Sequence, residues 1–298
     1  MSDAIPGEPD LTMPPPIVTP TWVIDQLVSA GMGLGRVVRL VDTRAYLDGR
    51  DGHEAYRAEH IPGAVWVDLD TVLAGPPSAA GGRHPLPDPQ TFADGLAEAG
   101  VGFDDLVVAY DDLGGMVAGR LVWMLRLIGA PAALLDGGLA GWPGPRESGE
   151  VDLEPAPARP AVPWPADRIV DAAGVQAHLA AGGVVVDARA ADRYRGEHEP
   201  IDARAGHIPG AVNLPFADNL DDDGRFRSVD ERERRFAPVV GSDPAPVFYC
   251  GSGVSACHDL LALESTGLTG ARLYVGSWSQ WSADPDRPVA TGDEPDRP

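Results

Sequence analysis

The chain is written twice. The run Leu106-Val107-Val108-Ala109-Tyr110-Asp111 returns as Pro246-Val247-Phe248-Tyr249-Cys250, at a fixed offset of 139 residues between Asp111 and Cys250. Leu135-Asp136-Gly137-Gly138, continuing to Trp142, returns at the same offset as Tyr274-Val275-Gly276-Ser277, continuing to Trp281. Asp42-Thr43-Arg44 and Asp187-Ala188-Arg189 each close an apolar run, and His60-Ile61-Pro62-Gly63-Ala64 reappears as His207-Ile208-Pro209-Gly210-Ala211. A period this long excludes a solenoid and requires two tandem domains of one fold. In each copy apolar β-favouring runs alternate with helical patterns, which predicts an α/β architecture with a mainly parallel sheet flanked by helices. Helices are expected after Thr19 or Thr21, over Leu121–Ile128, over Ile169–Ala181 with Asp171 as cap, and over Val254–Leu263. The boundaries that follow are a first domain over 17–145, a proline-rich linker over 146–166 and a second domain over 167–290. Residues 1–16 read as a flexible arm, and the polar tail 284–298 reads as surface.

The copies differ at one strand tip: Asp111 stands in the first where Cys250 stands in the second. Around Cys250 the chain reads Val247-Phe248-Tyr249-Cys250-Gly251-Ser252-Gly253-Val254-Ser255-Ala256-Cys257-His258. An apolar strand delivers the thiol into a tight turn ahead of a helix. Unpaired N–H groups of the first helical turn and of the loop favour negative charge there, so the stretch suits a thiolate. A buried strand-end cysteine beside an ordinary glycine turn is the alternative. The duplication tips the balance, because the crevice beyond the carboxyl ends of a parallel sheet is where ligands sit and only one copy places a nucleophile there.

Composition narrows the function classes. The net charge of −22 argues against a nucleic-acid or acidic-membrane partner and means that an anionic substrate needs a local cationic site. Two cysteines make no disulfide framework and fit a reducing compartment. The first basic residue is Arg36 and no long apolar run exists, so neither a secretory signal nor a membrane span is expected, and the cytoplasm is the expected location. Cys250, Cys257 and His258 lack closed zinc-ligand spacing, and neither a metal nor a cofactor is expected. Cys257 reads as a packed helix residue and His258 as a helix-surface one. His60 and His207 recur in both copies, with and without the thiol, which assigns them to structure.

Taken in order, the paired Asp-x-Arg strands, the paired His-Ile-Pro-Gly-Ala turns, the Asp136-Gly137-Gly138-Leu139 and Gly276-Ser277-Trp278-Ser279-Gln280-Trp281 segments and the cysteine loop resemble the tandem-domain rhodanese superfamily of sulfurtransferases. The resemblance runs from about residue 20 to residue 288. It implies two rhodanese-like domains, the first catalytically inactive and the second catalytic. Thiosulfate-using members place basic residues directly after the cysteine, where this chain has Gly251 and Ser252; the loop is similar to that of the 3-mercaptopyruvate sulfurtransferases, with Ser255 where Thr is usual. Related phosphatases need an arginine at the position that is Ala256 here.

The implied reaction moves sulfur from 3-mercaptopyruvate, through a Cys250 persulfide, to a thiol acceptor such as thioredoxin or to cyanide, and releases pyruvate. Two alternatives are a thiosulfate:cyanide sulfurtransferase and a non-catalytic persulfide carrier. The resemblance carries a Ser–His–Asp relay onto Ser252, His84 and Asp70, and a substrate-carboxylate arginine onto Arg193. Gly251, Gly253, Val254 and Ser255 complete the expected substrate-binding loop. The family's second substrate arginine falls on Ile201 in a gapped reading, with Arg204 nearby.

Overall fold

A computed structural model describes residues 13–241 and 243–293. Most of the expected N-terminal arm (1–12) and the last five residues of the tail lie outside these. The first half runs β1 (Ile17–Val18), α1 (Pro20–Gly31), β2 (Val38–Asp42), α2 (Gly52–Ala58), β3 (Val65–Trp66), α3 (Pro89–Glu98), β4 (Leu106–Tyr110), α4 (Ala118–Leu127), β5 (Ala132–Leu135) and α5 (Gly138–Gly141). The second runs β6 (Ile169–Val170), α6 (Ala172–Ala180), β7 (Val185–Asp187), α7 (Ala191–Arg195), β8 (Val212–Asn213), α8 (Val229–Val240), β9 (Val247–Tyr249), α9 (Ala256–Glu264), β10 (Arg272–Tyr274) and α10 (Ser277–Ala283). Each half forms a five-stranded, wholly parallel sheet, in the orders β1-β5-β4-β2-β3 and β6-β10-β9-β7-β8. The two orders are the same order, so the duplication in sequence is a duplication in space.

Local chemistry explains where the elements begin. Thr19, not Thr21, caps α1, its Oγ1 accepting the Trp22 N–H at 3.2 Å. Asp171 caps α6 as expected, taking the Gly174 N–H at 2.7 Å. Ile169 and Val170, however, are not helical; they form edge strand β6 against β10. Two β-branched residues ahead of a cap are better satisfied by sheet pairing than by extending a helix backwards past it.

The repeated motifs are structural ties. Arg44 reaches Asp42 and the Glu59 carbonyl, while Arg189 reaches Asp187 and the Gly206 carbonyl. Each pair is buried and fastens a strand end to the His-Ile-Pro-Gly-Ala turn. His60 and His207 are buried in that turn, Nδ1 against the carbonyls of Tyr56 and Tyr194, and the rings stack on those tyrosines.

The two halves share one core. Leu121, Val122 and Leu125 of α4 join Cys257, Leu260 and Leu261 of α9 in a single buried cluster with both sheets. The contact is backbone-close at Gly119, where a Cβ would lie 3.3 Å from the His258 backbone. His258 is therefore fully buried, against the expectation of a surface position. It bonds the Gly114 carbonyl of the first half at 3.1 Å and stacks on Phe226, and burial pushes it down to about 3.

Candidate active site

Cys250 follows β9 directly, at the carboxyl edge of the second sheet. Its Sγ accepts the Gly253 N–H at 3.2 Å, so the turn curls a backbone donor onto the sulfur. The loop is pinned from behind by α10. Trp278 and Ser279 N–H groups donate to the carbonyls of Cys250 and Gly251, and Ser277 Oγ accepts the Cys250 N–H at 3.2 Å. Ser277 holds a φ of 52°, the one non-glycine residue in the left-handed region among those described. Gly138 occupies the same place in the first copy with the same φ of 52°. The second copy thus tolerates strain in exchange for a hydroxyl under the cysteine.

The first copy shows what such a loop attracts. Asp111 is fully buried, and its carboxylate accepts the N–H groups of Leu113, Gly115, Val117 and Ala118 at 2.7–2.9 Å. Burial raises its pKa, and those four donors oppose the shift. A carboxylate thus occupies the first copy's anion nest, where the second copy has a thiol at the same strand tip.

A cavity of about 260 Å³ opens in front of Cys250. Both halves line it. Leu69, Asp70, His84 and Met116 come from the first, and Phe216, Arg193 and the cysteine loop from the second. Cys250 is 1% exposed, so access to the thiol is through this cavity.

The sequence-expected residues meet here. His84 Nδ1 lies 2.8 Å from Ser252 Oγ, and its Nε2 lies 3.5 Å from an Asp70 carboxylate oxygen. The second contact is long, and the Asp70 side chain is 78% exposed, so Asp70 orients the ring more weakly than a buried carboxylate would. Burial, with the guanidiniums of Arg120 and Arg83 nearby, pushes His84 down to about 4. The imidazole is neutral at physiological pH, with one nitrogen free to accept a proton.

Gly251, Val254 and Ser255 line the cavity. Gly253 does not. It lies behind the loop, where a Cβ would come 2.6 Å from the Val275 carbonyl, and its own carbonyl accepts from Arg120. Arg193 faces the cavity but is engaged: Glu199 at 2.6 Å and Asp202 at 3.1 Å hold it. Ile201 also lines the cavity. Arg204 points away, donating to the carbonyls of Trp281, Ser282 and Arg287.

Two residues escaped the sequence reading. Arg120, on α4 of the first half, is fully buried with no carboxylate partner among the described residues. It donates to the carbonyls of Leu73, His84, Pro85 and Gly253 at 2.8–3.1 Å, tying the relay histidine to the cysteine loop. Burial lowers its pKa, and the thiols of Cys257 and Cys250 oppose that shift. Arg83, one residue before His84, also reaches the second half: its N–H donates to Ser279 Oγ at 3.0 Å and its side chain meets Asp202 at 2.7 Å. Gly82 makes this docking possible, since a Cβ there would fall 2.5 Å from the Gly276 carbonyl. The signals were the Gly81-Gly82-Arg83 step before His84, and an arginine at 120 where the second copy has Asp259.

The profile of the Rhodanese-like domain matches residues 25–144 and again 171–284. A Pseudomonas aeruginosa protein is 46% identical over 251 residues, covering 81% of this chain and 88% of its own. A Mycobacterium tuberculosis protein is 40% identical over 269 residues, covering 87% and 92%. Both carry provisional names, 3-mercaptopyruvate sulfurtransferase for the first and thiosulfate sulfurtransferase for the second. Among solved structures, the 3-mercaptopyruvate sulfurtransferase from Leishmania major superposes with a TM-score of 0.75 at 34% identity, over 92% of this chain and 75% of that one.

Proposed function

This chain belongs to the rhodanese family, in its two-domain form, and on that premise we propose that it is a sulfurtransferase taking sulfur from 3-mercaptopyruvate. The observation that carries this reading is the His84–Ser252 contact of 2.8 Å, which sets a neutral proton carrier from the first half beside the cysteine loop.

In the first stage the Cys250 thiolate attacks the donor sulfur. An S–S bond forms, the donor C–S bond breaks, and its electron pair leaves as the enolate of pyruvate. The donor's own thiol proton ends on the new methyl carbon, so Cys250 is left as a persulfide anion and charge balances without an outside acid. Ser252 and His84 are suited to carry that proton, the hydroxyl facing the cavity and His84 Nδ1 behind it. The Gly253 N–H supports the anion on sulfur. In the second stage a thiol attacks the outer sulfur and regenerates the Cys250 thiolate. We assign that role to a small protein thiol such as thioredoxin, and the location to the cytoplasm, whose reducing poise keeps Cys250 and Cys257 free. No helix among the described residues is long and apolar enough to cross a membrane.

The mycobacterial relative's name favours a second reading, thiosulfate as donor. The apolar walls at Leu69, Met116 and Phe216 fit a carbon skeleton better than a sulfonate. A passive persulfide carrier would need neither the relay nor the cavity.

Pyruvate release tests the proposal. The wild type should release one pyruvate per sulfur transferred, with kcat holding as pH falls below 6, because His84 stays neutral until about 4. His84→Ala should lower kcat on the order of 10²-fold while the Cys250 persulfide still forms slowly. Unchanged kcat in His84→Ala, or an acid limb near the ordinary histidine value, would remove the relay.

A further inference from the structure

Five of the eleven large apolar side chains that stand exposed among the described residues fall within one stretch of fourteen, Ile24 to Val37. Ile24, Val28, Met32, Leu34 and Val37 are between 37% and 73% exposed. The first three recur every four residues, so they form one stripe along α1 and its C-cap, about 12 Å long at 1.5 Å per residue. The core face of α1 is another one: Val23 is buried, and Trp22 and Leu27 pack with it against a cluster that holds Leu40 and Val108 of the first sheet. A surface helix that only covered its own sheet would carry polar residues on the stripe. The turn after α1 folds back on the helix, the Leu34 N–H donating to the Ser29 carbonyl at 2.9 Å. Leu34 therefore continues the patch, and Val37 leads it to the amino end of β2.

Size and charge say what covers this face. The five side chains present about 500 Å², within the upper range of the largest patch on a monomer and enough for the apolar core of a standard interface of about 800 Å² per partner. The chain carries a net charge of −22, so two copies repel over most of their surface. From Pro20 to Val38 only Asp25 and Arg36 are charged. They flank the stripe at opposite ends, with opposite sign. A twofold axis sets the same patch of each copy face to face. Antiparallel packing of the two helices then brings the Asp25 end of one copy to the Arg36 end of the other, so the flanking charges attract. A basic protein would instead be drawn to the acidic remainder of the surface.

We propose that this face is the contact of a twofold homodimer, with α1 packed antiparallel on the α1 of a second copy and Val28 beside the axis. The reading does not depend on which sulfur donor the chain uses. β2 runs from the patch to Asp42, and the residues that line the cavity before Cys250 begin past its far end, at Ala45. The contact and the cavity thus lie at opposite ends of the first sheet, and dimerisation leaves both cavities open.

Sedimentation equilibrium of the full chain should show a monomer–dimer equilibrium with a Kd in roughly the micromolar range. Val28→Glu sets two like charges across the axis and should raise that Kd roughly 100-fold. Residue 28 is more than half exposed, so the melting temperature of the dilute variant should match that of the dilute wild type. Val28→Cys should become a disulfide-linked dimer under mild oxidation, because residue 28 faces its own counterpart within bridging reach. Val229→Cys, exposed on the second half, should not. Both native thiols are buried and stay out of this reaction. Sulfur transfer per chain should be equal above and below the Kd. A wild type that stays monomeric would leave the stripe to some other occupant and overturn the proposal. So would a dimer that Val28→Glu leaves intact, or cross-linking of Val28→Cys no faster than that of Val229→Cys.

Discussion

Cys250→Ser is expected to abolish sulfur transfer, with kcat falling on the order of 10⁴- to 10⁶-fold. No other group in the cavity can form a persulfide. The second thiol, Cys257, is fully buried on α9, its Sγ donates to the Gly253 carbonyl at 3.4 Å, and burial pushes it far above the ordinary thiol value. It is a packing residue that also steadies the loop. Cys257→Ser keeps a donor to the same carbonyl and should retain most activity. After donor treatment, intact mass should rise by one sulfur atom in the wild type and in Cys257→Ser, and not in Cys250→Ser. A persulfide persisting in Cys250→Ser would place the nucleophile elsewhere.

Arg120→Met should cost about 3–5 kcal/mol of stability. The side chain is fully buried and satisfies four carbonyls from three segments: Leu73, His84 with Pro85, and Gly253. Charge-assisted bonds contribute about 1.5–3 kcal/mol each, and part of that is offset by no longer burying a cation. At 2–4 °C per kcal/mol, the melting temperature should fall by roughly 10 °C. Arg120→Lys keeps the charge but has three donors for four acceptors, and should lie between. The same substitution unties His84 from the cysteine loop, so activity should fall further than the unfolded fraction accounts for. A Met variant that melts with the wild type would mean the four carbonyls find other partners.

The repeat made most of the fold legible. Two copies of strand, turn and helix signals agree with each other, and agreement across copies outweighs the weakness of each signal. Errors fell where a tertiary contact decides. Ile169 and Val170 look helical in isolation because only β10, a hundred residues on, offers them pairing. His258 sits in a polar-looking helix start, and nothing local reveals that Gly119 allows α4 to press against it. At the site, residues borne on repeated motifs or a family motif could be named in advance. Cys250 stands out because its counterpart is Asp111. Arg83 stands on no repeated motif, and although Arg120 differs from its counterpart Asp259, only the tertiary structure shows that it ties the His84 segment to Gly253 of the other half. The loop positions Gly251 and Ser252 carry no cation, as the sequence says; the cations beside Gly251 are Arg193 and, delivered from the other half, Arg83.

The central claim is that a keto-acid thiol is the donor, and relative donor rates on one preparation test it most directly. The measurement is kcat/KM for 3-mercaptopyruvate, read as pyruvate, beside kcat/KM for thiosulfate, read as thiocyanate with cyanide as the common acceptor. The cavity has apolar walls, the arginines Arg83 and Arg193 line it, and its cysteine loop is neutral at Gly251 and Ser252. The keto acid should be preferred by about tenfold or more, the weight of one well-made polar contact. A higher kcat/KM for thiosulfate, or sulfur transfer without pyruvate, would contradict the claim.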